Sequence, residues 1–440
     1  MLNMNTLDDI TKEGLFCDGD WIEKKDQDEN GKVRLIQLAD IGDGCFLDKS
    51  RKYINEETAQ KLNCTFLQKG DILVSRLGVP LGKACIFPYD GLFITAVDIA
   101  IVRIAKPDIS TKYMMHLINS SAFRSKIAEY QSGTTRKRIS RKNLAKIEFY
   151  LPEFDEQERI VSRIEELFSE LDNAVETLNA TKKQLEVYRQ TVLKAAFEGD
   201  YTNDWRKRND SSARSDFEKI KIPNPIYKDT SGDENEVNLN LPGSWIKVRF
   251  GDVFDVQVGA TPSRRISEYW NGDVNWVSSG EVRFNTIYHT EEKITADGLA
   301  HSSTSVHPVG TVMLAMIGEG KTRGQAAILN ISAAHNQNTA AILVSETPCQ
   351  PKYIYYYLQL SYDYTRRVGS GNNQKALNKE RVRALRFPFA SFEEQKEIVT
   401  EIESRLSVCE SIENTVDTAL AQASAMRQSI LKQAFEGGLQ

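Results

Sequence analysis

With 440 residues, 40% hydrophobic and 27% charged, the chain is long enough for two domains, each with its own core. No run approaches the ~18 continuous apolar residues of a membrane span, and Met1 to Ile10 lacks a basic start followed by an apolar stretch, so a cytoplasmic protein is expected. Six widely spaced cysteines indicate neither a disulfide framework nor a zinc site, and a net charge of −5 argues against a globally basic, nucleic-acid-coating protein.

Residues 1–152 read as an α/β globule in which short aliphatic strands such as Ile72-Leu73-Val74 precede helices. Its most basic window runs from Gly133 to Ile147, with Arg136, Lys137, Arg138, Arg141, Lys142 and Lys146 and no acidic residue. Residues 153–199 contain one long helix. Stepping alternately by four and three from Ile160 gives Ile164, Leu167, Leu171, Ala174, Leu178, Thr181, Leu185, Tyr188, Val192 and Ala195, only Thr181 being polar, a spacing of 3.5 that describes a coiled-coil seam. Residues 200–240 turn polar and read as a linker. A second globule occupies 241–390, and a second helix occupies 391–440, with a weaker seam through Ile398, Ile402, Ile412, Val416, Met426 and Ile430.

The second helix repeats the first at an offset of 238 residues without a gap. Glu156-Gln157 recurs as Glu394-Gln395, and Ala196-Phe197-Glu198-Gly199 as Ala434-Phe435-Glu436-Gly437. The repeat extends into the globules, matching Gly133–Phe149 with Gly371–Phe387 and Lys112-Tyr113 with Lys352-Tyr353. Arg34-Leu35-Ile36 and Asn275-Trp276-Val277 look equivalent. The expected architecture is two mixed α/β (α+β) domains in a pseudo-two-fold arrangement, each followed by a long helix, with the helices paired as an antiparallel coiled coil. At ~1.5 Å per residue, each helix would extend roughly 66 Å and serve as a ruler. The two helical repeats carry net charges of −4 and −5, leaving the remainder at +4, so any phosphate-binding surface is local.

Catalytic patterns fail on context. Gly320-Lys321-Thr322 satisfies a relaxed phosphate-loop pattern, but Arg323-Gly324-Gln325 leads into the apolar run Ala326–Leu329 and not into a helix. Asn224-Pro225-Ile226-Tyr227 only weakly echoes an adenine methyltransferase signature. His301 and His307 lack a third metal ligand.

Two variable globules alternating with near-identical helices resemble the specificity subunit of type I DNA restriction–modification systems. The resemblance is carried by Phe154-Asp155-Glu156-Gln157 and Phe392-Glu393-Glu394-Gln395 at the helix starts and by Phe197-Glu198-Gly199 and Phe435-Glu436-Gly437 at their ends. Gly259-Ala260-Thr261-Pro262-Ser263 resembles the opening of a target-recognition domain, and the first unit departs from it with Phe16-Cys17-Asp18-Gly19-Asp20-Trp21-Ile22. The resemblance implies a subunit with no chemistry of its own. Each globule would read one half of a bipartite site on double-stranded DNA. The helix pair would set the gap and dock two methyltransferase subunits, to which restriction and translocase subunits add. No cofactor would sit on this chain, and S-adenosylmethionine, ATP and magnesium would belong to the partners. The alternative is a coiled-coil scaffold of another complex that binds no DNA.

The expected DNA contacts in the first globule are Arg76, Lys83, Thr134, Thr135, Arg136, Lys137 and Arg138. In the second they are Arg264, Arg265, Arg283, Lys321, Thr322 and Arg323, with the loop Asn372, Asn373, Gln374 and Lys375. Arginine forks suit guanine edges, amides suit adenine edges, and hydroxyls suit phosphate. Tyr353, Tyr355, Tyr356 and Tyr357 are expected in the core.

Overall fold

The computed structural model describes residues 4–221, 237–318, 320–367 and 376–436. They form two compact units, one of residues 1–180 with 416–440 and the other of residues 181–415.

The first unit is centred on a four-stranded antiparallel sheet ordered Leu15–Asp18, Ile99–Arg103, Ile72–Ser75 and Ala84–Ile86. The Ile72–Ser75 strand has no polar alternation because both its faces are covered. Ile72 and Val74 join a core with Met114 and Ile118 of the Thr111–Asn119 helix, while Leu73 packs with Cys85, Phe87 and Ile101 on the opposite side. A three-stranded sheet, Lys52–Ile54, Val33–Ile36 and Phe93–Thr95, completes this globule.

The second unit repeats the plan with one more strand. Its five-stranded sheet runs Val256–Val258, Thr339–Ile342, Val312–Ala315, Ala326–Leu329 and Asn285–Ile287. Trp270–Val277 takes the place of Val33–Ile36, and each pairs in parallel with the strand at the matching position. The expected equivalence of Asn275-Trp276-Val277 with Arg34-Leu35-Ile36 therefore holds in the backbone pairing.

Both long helices span 44 residues, Phe154–Phe197 and Phe392–Phe435. Neither contains proline or an interior glycine. The first stops at Gly199, whose left-handed φ of 78° turns the chain while its N–H donates to the Ala196 carbonyl at 3.1 Å. In the first unit, Ile164 of the central helix packs on Ile430, Leu431 and Ala434 of the C-terminal helix, and Arg427 pairs with Asp172. In the second unit, Val192, Ala196 and Phe197 share a core with Ile398 and Ile402, and Arg189 meets Glu413 at 2.7 Å. Within each unit the helices therefore run antiparallel.

The seam departs from the expected one in one of its layers. Burial follows Ile164, Leu185 and Val192 in the first helix and Ile398, Ile402, Val416 and Ile430 in the second, and Ile160, Leu167, Leu171 and Leu178 are partly buried along the same face. Ile412 and Met426, however, are 41% and 54% exposed. The intervening layer falls one residue later, on Leu406, Glu413, Leu420, Arg427 and Ala434. Its counterparts in the first helix are Phe168, Val175, Lys182, Arg189 and Ala196. Two of these polar residues, Arg189 and Arg427, occupy the same place in the repeat and are accommodated by ion pairs across the seam.

Each globule is fastened to the helices by the same set of contacts. Buried Gln157 accepts from the Ser110 N–H at 2.8 Å and donates to the Pro152 carbonyl at 2.9 Å. Gln395 accepts from the Gln350 N–H at 3.1 Å and donates to the Ala390 carbonyl at 2.9 Å. Lys112 pairs with Glu165 and Lys352 with Glu403. The far ends of the helices are held by rings, Tyr113 on Phe435 at 5.3 Å and Tyr353 on Phe197 at 4.9 Å.

The segment expected as a bare linker is partly structured. Asn203–Arg208 and Ala213–Glu218 are helices of the second unit. Phe217 stacks edge-on against Phe389, and Asp216 accepts from the Phe392 N–H at 2.9 Å. Residues 222–236 lie outside the described chain. Arg206 also donates to the buried carboxylate of Glu394 at 2.7 Å, and Thr202 and the Trp245 indole each donate to it at 2.8 Å. The repeat-equivalent Glu156 is instead partly exposed beside Arg159.

Replacing Glu394 with alanine strands the Arg206 charge and the Trp245 N–H, and is expected to cost about 3 to 5 kcal/mol. Glu156→Ala, which removes an exposed pair, is expected to stay within about 1 kcal/mol. Calorimetric unfolding of the two variants checks this, and equal losses would show that the buried carboxylate has no special role.

Candidate nucleic-acid interface

The central sheets bring most of the expected contact residues to one end. In the first unit the strands Leu15–Asp18 and Ile72–Ser75 finish at the edge where Ala84–Ile86 and Ile99–Arg103 begin. The loops 76–83 and 96–98 therefore emerge side by side. A third loop joins them. Ser132 and Arg138 exchange backbone hydrogen bonds of 2.8 and 2.9 Å, and Gly133, at a φ of 91°, opens the turn between them. Gly78 N–H donates to the Lys137 carbonyl at 3.1 Å and Ile139 N–H to the Arg76 carbonyl at 3.0 Å, which staples this turn to the loop after Ser75.

Thr134, Thr135, Arg136, Lys137 and Arg138 are all exposed on the stapled turn. None of the three cations is neutralised by an ion pair among the described residues, so their field is directed to solvent. Arg76 has a different position. Only 12% of its side chain is exposed, and it pairs with Asp18 at 3.0 Å while donating to the carbonyls of Ile139 and Val97. It braces the edge from beneath. Lys83 is partly buried, and its backbone is held by the Ser75 hydroxyl at 3.0 Å. Asp20 lies on the same edge, where burial pushes its carboxyl up to about 6 against the two bonds it accepts from the Thr65 N–H.

The second unit repeats one of these bonds. Leu377 N–H donates to the Met316 carbonyl at 3.0 Å, at the positions equivalent to Ile139 and Arg76. The adjoining Asn372, Asn373, Gln374 and Lys375 lie outside the described residues. Arg265, Arg283 and Lys321 are exposed, and Thr322 is partly buried. Arg323 is buried and donates to the Arg366 carbonyl at 2.8 Å. Arg264 lies 3.8 Å from the centroid of the Trp270 ring and forks onto Glu292, so its charge is already paired. Arg76, Arg264 and Arg323 thus hold the loops, whereas Arg136–Arg138, Arg265 and Lys321 face outward.

Gly320-Lys321-Thr322 lies in a turn followed by the strand Ala326–Leu329, the arrangement that argues against a phosphate loop. Tyr353 and Tyr357 are buried and donate to the carbonyls of Pro388 and Arg386, which places them in the core as expected.

His307 has a neighbour that its sequence surroundings conceal. His335, 28 residues away, approaches it to 3.1 Å between Nε2 atoms and also contacts the Thr339 hydroxyl at 2.8 Å. Burial pushes His335 down to about 3, with His307 adding to the effect, and burial also lowers His307. The described residues contain no group of three candidate metal ligands.

Two sheet-centred units, each seated on antiparallel long helices and each presenting exposed cations on its loops, make up a duplicated chain. The DNA specificity domain of type I restriction–modification systems matches residues 4–187 and again 242–421, and the chain belongs to that family. The EcoDI specificity subunit of Escherichia coli is 22% identical over 334 residues, covering 75% of this chain and 70% of that protein. The EcoBI specificity subunit of the same species is 25% identical over 340 residues, covering 77% and 68%. A chain from a solved structure on complex assembly and conformational transition of the type I system shares the fold, with a TM-score of 0.71 at 16% identity over 99% of this chain and 98% of that one. The HsdS subunit from Thermoanaerobacter tengcongensis gives 0.51 at 15% identity over 99% and 97%. Among the described residues, no helix is long and apolar enough to cross a membrane.

The histidine pair makes the second unit acid-sensitive. Both rings are neutral in the fold, while in the unfolded chain they take up protons below their ordinary value near 6.5. Stability is fully present above that pH and declines as pH falls below it, for His335 down to about 3, with His307 acting in the same direction. His335→Gln is expected to flatten this decline between pH 6.5 and 5, read as the melting temperature of the second unit. An unchanged slope would assign the acid loss to other groups.

Proposed function

We propose that the chain is the sequence-specific DNA-recognition subunit of a type I restriction–modification complex in the cytoplasm. Each unit reads one half of a bipartite double-stranded site, the helix pair sets the gap, and two methyltransferase subunits dock on the chain. Restriction and translocase subunits complete the assembly. S-adenosylmethionine, ATP and magnesium serve those partners, and this chain holds none of them.

The observation that carries this reading is the recurrence of the Ile139–Arg76 backbone bond as Leu377–Met316, joining loops whose sequences differ between the units. A shared frame with unlike tips suits two unlike half-sites. Outward Lys and Arg side chains supply a salt-dependent phosphate attraction, and side-chain forks and amides on the rigid frame supply the discrimination. Support for partner docking comes from apolar side chains outside the seam. Val187, Tyr188, Val408 and Ile412 are exposed on the helices of the second unit, and Met426, the repeat-equivalent of Tyr188, is exposed in the first.

Sequencing native DNA from cells with and without the gene is expected to show one methylated split motif that disappears with the gene. Persistence of every methylated motif would overturn the reading in favour of a scaffold that does not read DNA. Inserting seven residues after Lys182 and seven after the repeat-equivalent Leu420 preserves the heptad phase of both helices. This double insertion is expected to change the gap and leave both half-sites intact, as read from the methylated motif. An unaltered gap would remove the ruler.

A further inference from the structure

Val79 stands at the tip of the loop between Ser75 and Ala84 and is 79% exposed, whereas Leu81, two residues on, is turned into the core. The tip is held from both sides. Gly78 N–H donates to the Lys137 carbonyl at 3.1 Å, Gly82 N–H to the Ser75 carbonyl at 3.0 Å, and Lys83 N–H to the Ser75 hydroxyl at 3.0 Å. Behind it, Arg76 ties the loop base to Asp18. Val79 and Pro80 themselves line a concavity of about 210 Å³, together with Arg124, Ile127, Gln131 and Lys137. The surroundings are strongly cationic, since Arg136, Lys137 and Arg138 project from the turn stapled to this loop.

A lone exposed valine is ordinary on a protein surface. A valine fixed in place within a cationic field is not, because the polyanion such a field attracts has few apolar features. In the major groove the thymine 5-methyl is the apolar mark on the base edges, and contact with an aliphatic side chain distinguishes it from the other bases. Gln131, on the rim of the same concavity, carries the amide chemistry that suits the adenine of an A·T pair. Resting on the DNA-reading function proposed above, we propose that Val79 is a specificity-determining residue that reads the 5-methyl group of one thymine in the half-site addressed by the first unit.

The test uses the full chain in complex with its methyltransferase partner, on duplexes carrying the methylated split motif. Thymines of that motif are replaced one at a time by deoxyuridine, which deletes only the methyl. The wild-type complex is expected to lose affinity by about fourfold, the worth of one buried methyl, at a single thymine. Val79→Ala, a change at an exposed tip, is expected to bind the thymine and deoxyuridine duplexes equally at that position while keeping its response elsewhere. The inference is overturned if the wild type tolerates deoxyuridine at every position, if Val79→Ala keeps the full penalty, or if neither half-site contains an A·T pair. A complex that prefers no sequence at all would overturn the underlying functional reading instead, so the two failures are distinguishable.

Discussion

The constraint on which the rest of the structure depends is the clamp between each globule and two different helices. Gln157 and Gln395 satisfy buried backbone groups at the start of the helix that follows each globule, while Tyr113 and Tyr353 close on the phenylalanine ending the other helix. A glutamine is suited to this place because its amide both donates and accepts, and can bridge an N–H and a carbonyl without burying a charge. Neither helix is fastened at one end only. The loops at the sheet ends inherit this rigidity, since the sheets carrying them pack on the clamped helices Thr111–Asn119 and Pro351–Leu360.

The two units keep this clamp and the sheet plan, and differ around them. Glu394 is buried among Arg206, Thr202 and Trp245, whereas Glu156 at the same repeat position faces solvent beside Arg159. The second sheet has an additional strand, and its loop between Val312–Ala315 and Ala326–Leu329 is two residues longer than the equivalent loop of the first. Divergence at the tips over a common frame is the pattern expected when two heads of one chain address different chemical surfaces.

Much of this was legible in the sequence because duplication exposes itself without any structural assumption. The long helices, the two globules and the recurrence of the Glu-Gln and Phe-Glu-Gly motifs followed from an offset of 238 residues. The seam was less legible. A stepping rule that follows apolar residues passes over Arg189, Glu413 and Arg427, which enter the interface because each finds an opposite charge there. It selects Ile412 and Met426 instead, which the helix turns outward. Charge posed the same difficulty at the loops. Arg76, Arg264 and Arg323 cannot be told from Arg136 by residue type, and only the carbonyls, carboxylates and rings around them separate a brace from an outward cation. His307 and His335 were hidden for a simpler reason, since sheet pairing brings together residues that sequence spacing keeps apart.

The ring of Phe435 has a bearing on biosynthesis. It packs on Tyr113 of the first globule, which precedes it by more than 300 residues. Until Phe435 has been made, that side of the globule's core is uncovered. Truncation before Phe435 would therefore injure a globule made long before it, and a nascent chain carrying that apolar gap is a natural client for chaperones.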